Sequence, residues 1–161
     1  MREVPVHRRI LLISLLLFIG GCTPDDATGP GEIRWDREVC TRCSMAVGDR
    51  SFAAQVRGAP ANERTRLYKF DDIGCAVVWL EQQAWKHDPR TEVWVMDYEN
   101  SEWLDARKAG YVKGKLSPMN YGLAAQAEAT EGALDFDQAV AHIMAVEQEH
   151  RVHGGHVPVN K

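Results

Sequence analysis

Between Ser51 and Ala106 the hydrophobic pattern changes period twice, which limits the architectures open to the chain. Ser51 to Arg57 alternates, with Phe52, Ala54 and Val56 on one side, as a half-buried strand does. Gly58 to Asn62 reads as a turn, and Leu67 to Phe70 as the return strand of a hairpin. A carboxylate at Asp71 or Asp72 can then accept hydrogen bonds from the free amides of a helix start. Ile73, Ala76, Val77, Leu80 and Ala84 recur along one face of that helix. The spacing predicts a helix running to Trp85, stopped by His87-Asp88-Pro89. Glu92 to Tyr98 carries apolar residues on both faces, as a central strand would, and Trp103 to Ala106 can pair back onto it. Strand, strand, helix, strand is an α+β order. Weaker strand candidates follow at Tyr111-Val112 and from Met119 to Ala125. Asp135 is placed to cap a second helix with Phe136, Ala139, Val140 and Ile143 on one face. No internal repeat marks a duplicated unit.

Ahead of this region, Arg8-Arg9 precedes the apolar run Ile10 to Ile19, too short to span a bilayer comfortably and therefore read as a signal peptide. The run ends in Ile19-Gly20-Gly21-Cys22, which resembles a bacterial lipobox, with Cys22 as the lipidated, mature N-terminus. Thr23 in place of Asp after it favours the outer membrane by the same resemblance. Acyl chains anchor because each buried methylene contributes about 0.8 kcal/mol. Thr23 to Gly31, rich in Pro, Gly and Asp, reads as a flexible tether. At 161 residues there is room behind the leader for one domain, or two very small ones. The net charge is −4, and because the leader is basic, the rest of the chain is more acidic still. Without a Lys/Arg stripe it lacks the cations that nucleic-acid binding requires, and that class is set aside.

Cys40-Thr41-Arg42-Cys43-Ser44-Met45 packs two thiols and a thioether into six residues. With Cys22 lipidated, Cys40, Cys43 and Cys75 remain, an odd number for an oxidising compartment, so at least one is unpaired or metal-bound. A structural zinc site normally takes four ligands, and no second Cys-x-x-Cys or His-x-His follows at the usual spacing. A thioredoxin-like dithiol needs a helix behind it, whereas Val47 to Arg50 is turn-like. A plain Cys40–Cys43 disulfide leaves Met45 unexplained. A thioether is a poor ligand for Zn²⁺ and a good one for Cu(I), so Cys40, Cys43 and Met45 together point to Cu(I). Met119, in Ser117-Pro118-Met119-Asn120-Tyr121-Gly122, sits on a loop shaped by Pro118 and Gly122 and is either a further ligand or a packed loop residue. Met96 reads as core and Cys75, on the helix, as a small buried hydrophobe. His150, His153 and His156 read as part of a polar end, with auxiliary metal capture as the other reading. No catalytic triad or dyad proposes itself, and the chain is expected not to be an enzyme.

These pieces together resemble the NosL family of lipoproteins encoded with nitrous oxide reductase. The likeness rests on the lipobox at Cys22, the Cys-x-x-Cys-x-Met motif, Asp71-Asp72-Ile73-Gly74, Trp94 to Tyr98, Trp103 to Ala106 and Ser117 to Gly122, in order along most of the mature chain. The resemblance implies a fold of two small ββαβ units similar to organomercurial lyase. It also implies a Cu(I) metallochaperone, periplasm-facing and lipid-anchored, that delivers copper to nitrous oxide reductase and its assembly machinery. The metal role carries over to Cys40, Cys43 and Met45, and to Met119. On this reading the chain divides into a signal peptide (1–21), a lipidated tether (22–34), a NosL-like α+β domain (35–146) and a His-rich flexible tail (147–161). Two departures stand out. The family usually has Gly where this chain has Ser44, so a positive φ there would cost on the order of 1 kcal/mol. The His-rich tail is not a family feature. The rival reading is an organomercurial-lyase-like or dithiol redox enzyme using Cys40, Cys43 and Cys75, and it gains if Cys75 lies beside the pair.

Overall fold

The computed structural model describes residues 28–153, so the signal peptide, Cys22 and His156 lie outside the described residues. The described residues form two helices and two antiparallel sheets. The elements run β1 (Ala54–Gly58), β2 (Arg66–Phe70), α1 (Ile73–Leu80), β3 (Glu92–Met96), β4 (Trp103–Asp105), β5 (Gly110–Lys113), β6 (Leu123–Gln126) and α2 (Phe136–His153). The larger sheet has the order β2-β1-β3-β4, and β5 pairs with β6 in the smaller one.

β1 is interior to its sheet, and all five of its residues are buried rather than alternately so. Its second face is covered by the segment expected to be a free tether. The Gln55 amide, fully buried, accepts from the Gly31 N–H at 2.8 Å and donates to the Gly31 carbonyl at 2.8 Å. Arg57 Nε donates to the Gly29 carbonyl at 2.9 Å, and the Gly29 amide donates to Glu92 at 2.7 Å. Ile33 is buried as well. Gly29 and Gly31, read as tether from the sequence, are therefore tied to β1, because two polar side chains of the strand need backbone partners.

Asp72 caps α1 in extended conformation, its Oδ1 accepting from the Gly74 amide at 2.8 Å. The helix ends at Leu80, short of Trp85. Gln82 and Gln83 donate their side-chain amides to the carbonyls of Val78 and Trp79, which a longer helix would have used. Seven of its eight residues are buried, so it is not amphipathic but enclosed, with the larger sheet on one side and α2 on the other. Asp135 opens α2 with a capping box: its carboxylate accepts from the Gln138 amide at 2.8 Å while Gln138 Oε1 accepts from the Asp135 amide at 3.0 Å. α2 continues to His153, so residues 147–153, expected in a flexible tail, are helical, and Glu147 is buried. Ala139, Ile143 and Glu147 recur every four residues and form the inward face.

Candidate metal site

The Cys40–Met45 segment is a tight loop closed at its base. The Cys40 amide donates to the Met45 carbonyl at 2.8 Å, the Ser44 amide donates back to the Cys40 carbonyl at 3.0 Å, and Val39 bridges Ala46. Ser44 takes φ +65°, the left-handed conformation for which glycine is better suited. The loop is held against the larger sheet by the Thr41 amide, which donates to the Lys69 carbonyl near the end of β2 at 2.8 Å. β2 leads directly into Asp71 and the start of α1, and so the loop lies over the helix entrance.

That docking brings together residues far apart in sequence. One ligand atom each from Cys40, Cys43, Asp71 and Cys75 lies within 4.8 Å of all the others. Four donors bound tetrahedrally at about 2.3 Å would stand roughly 3.8 Å apart, so a small contraction of this cluster would enclose an ion. All three thiols are free of disulfides; Cys40 and Cys75 are buried and Cys43 is half-buried. The Cys43 thiol donates toward both oxygens of Asp71, at 3.4 and 3.3 Å. Asp71 is 1% exposed, which makes a carboxylate without a metal or a donor costly there.

The thiols are not equivalent. A hydrogen bond from Cys75 stabilises the Cys40 thiolate and, outweighing burial, lowers its pKa to about 6. Burial pushes Cys43 up to about 12, with the neighbouring Cys40 adding to the effect. Cys75 is raised, first because its proton is shared with Cys40 and then by burial. The cluster thus has one thiol that ionises more readily than an ordinary cysteine and two that hold their protons more firmly.

Of the residues expected from sequence to hold metal, Cys40 and Cys43 fall in the cluster. Met45 sits at the loop's edge, 50% exposed. Met119 is half-buried against the hydrophobic core, and its amide donates to Asp72 Oδ2 at 3.1 Å, which ties its loop to the cap of α1. Sequence reasoning missed Asp71 as a site residue and took Cys75 for a packing residue. The odd thiol count is the available signal for Cys75, and Asp71, two residues before Ile73, reads from sequence only as a candidate cap. The objection to zinc for want of four ligands also falls, since three sulfurs and one oxygen are present. Compared with known proteins, the chain matches no family model and no curated relative.

Proposed function

We propose that the chain is a Cu(I) carrier that holds its ion with the thiolates of Cys40, Cys43 and Cys75. The observation that carries this reading is the convergence of three thiols and Asp71 within 4.8 Å under a loop that leaves a methionine half-exposed. Sulfur-rich ligation suits Cu(I) over harder ions. Met45, at the solvent edge, would meet an arriving ion first and hand it inward, or receive it on the way out. Met119 is kept as a further ligand for the loaded state. The chain is the cargo's holder and turns nothing over. With the resemblance described above, the proposal extends to a NosL-like lipoprotein, anchored through Cys22 and facing the periplasm from the outer membrane. It would supply copper to nitrous oxide reductase and its assembly machinery. The order β1-β2-α1-β3 supports one ββαβ unit of an organomercurial-lyase-like fold, with β5, β6 and α2 as the corresponding part of a second.

Anaerobic titration of the reduced protein with Cu(I) against a chelator tests the reading. One ion held strongly, and lost in a Cys40→Ser/Cys43→Ser variant, is the expected result; binding no tighter than to the weak chelator would overturn it. The position of Cys75 beside the pair also favours the rival, a thiol enzyme in which Cys40 is the nucleophile. Catalytic disulfide exchange or carbon–mercury bond cleavage by the metal-free protein would establish that reading instead.

A further inference from the structure

Arg42 lies between the two loop cysteines in sequence, where a solvated side chain would be the ordinary expectation. Instead it reaches across the cluster. Its Nη1 stands 3.8 Å from Cys75 Sγ and donates to the Tyr121 hydroxyl at 3.0 Å. Its Nη2 donates to Glu147 Oε1 on α2 at 2.6 Å. Tyr121 donates in turn to Glu147 Oε2 at 2.7 Å, and Arg151 Nε donates to Glu147 at 3.1 Å. The Arg42 side chain is 22% exposed. Burial alone would push Glu147 up, but the bonds from Tyr121 and Arg151 hold it below the usual carboxylate range. Two guanidinium groups around one carboxylate leave one net positive charge, and the inner guanidinium is the one against the sulfur.

We propose that Arg42 is the specificity-determining residue of this site, biasing it toward a monovalent over a divalent ion. For the same set of ligands, a monovalent ion leaves the loaded site one unit more negative than a divalent ion does. The attraction between a held cation and that site grows with the site's charge, so Arg42 stabilises the monovalent complex more. Fork-shaped hydrogen bonding to Glu147 and Tyr121 keeps the guanidinium in place, which a lysine on a flexible stem would do less well. A cation of this kind acts through the ligands without touching the ion.

The inference rests on the metal-binding reading above, and the test separates the two. The full-length protein, reduced and metal-free, is titrated separately with Cu(I) and with Zn(II) against chelators, beside Arg42→Met and Arg42→Lys. The expected result is a Cu(I)-to-Zn(II) affinity ratio about 10-fold lower in Arg42→Met than in the parent, with partial recovery in Arg42→Lys. Equal losses for both ions would show a structural role only and overturn the inference. If the unaltered protein binds neither ion, the metal reading itself fails. Should Arg42→Met not fold, as judged by circular dichroism, Glu147→Gln decides: removing the opposing charge should move the ratio toward Cu(I), and a fall would refute the proposal.

Discussion

The thiol of Cys43 points at both carboxylate oxygens of Asp71, 3.4 and 3.3 Å away, joining a surface loop to the residue that precedes a helix cap. The contact unites the two halves of the cluster, the loop pair and the pair at the entrance to α1. Metal binding should therefore depend on the second pair as much as on the first. Cys75→Ser is expected to weaken Cu(I) binding by at least about 100-fold, comparably to Cys40→Ser, since each removes a direct ligand rather than an outer partner. Asp71→Asn should cost less for Cu(I) than for Zn(II), because oxygen is the harder ligand. Chelator competition on the three variants checks both statements, and unchanged binding in Cys75→Ser would reduce the site to the loop.

Cys75 shows where sequence reading reached and where it stopped. Hairpin, helix, central strand and second helix were all legible between Ser51 and Ile143, because periodicity and caps are local. The cluster is not local: it exists because the Thr41 amide docks on the carbonyl of Lys69, a backbone contact that no side-chain pattern announces. A cysteine in a buried helix looks the same whether it packs or ligates. The same limit applies ahead of β1. Gly29 and Gly31 read as tether by composition, but their backbone groups satisfy Gln55 and Arg57.

The unequal thiols give a pH signature in the reduced, metal-free protein. An unfolded cysteine ionises near 8.5, whereas Cys40 ionises at about 6 in the fold. A lowered folded pKa means that its contribution to stability is fully present above about 8.5 and is lost as pH falls through about 6. Cys43 has the opposite sign: its contribution is present below about 8.5 and lost as pH rises toward about 12. Thiolate absorbance should show one group titrating near 6, absent in Cys40→Ser. Its midpoint should move toward the ordinary range in Cys75→Ser, since Cys75 supplies the main stabilising bond.

Ser44→Gly should stabilise the chain. The residue sits at φ +65°, where a side chain costs roughly 1–2 kcal/mol, and the extra freedom of glycine in the unfolded state returns part of that. The net gain should be about 0.5–1 kcal/mol by denaturant unfolding, with Cu(I) affinity held within about 3-fold because the loop's hydrogen bonds are backbone ones. A loss of stability would mean that the serine hydroxyl has a role beyond the backbone.

Gly74→Ala should be damaging out of proportion to one methyl group. A Cβ at Gly74 would overlap Cδ2 of Tyr121, whose ring lies against the first turn of α1. Relief requires moving Tyr121, which is buried and hydrogen-bonded to both Arg42 and Glu147. A cost of about 1–3 kcal/mol is expected, together with weaker Cu(I) binding. Thermal unfolding and chelator competition measure the two, and a stable variant with normal affinity would show that the ring is free to shift.

Asp72→Ala removes a helix cap and an anchor together. The lost cap should cost about 0.5–2 kcal/mol. The Met119 amide, which donates to the same carboxylate, should exchange its hydrogen faster than in the parent by more than the global destabilisation explains. Equal acceleration across the chain would indicate that the cap alone mattered.

The four clustered ligands lie within residues 40–75, while the carboxylate that grips Arg42 is 105 positions further along the chain. Order of assembly follows from that distance. A chain folding from its N-terminal side can gather the sulfurs as soon as the first hairpin and α1 have formed, but the guanidinium is anchored only when the last helix docks. Between those two moments the thiols are together without their counter-charge. Any product cut short before Glu147 would keep that half-finished condition permanently, with its sulfurs assembled and their selectivity missing.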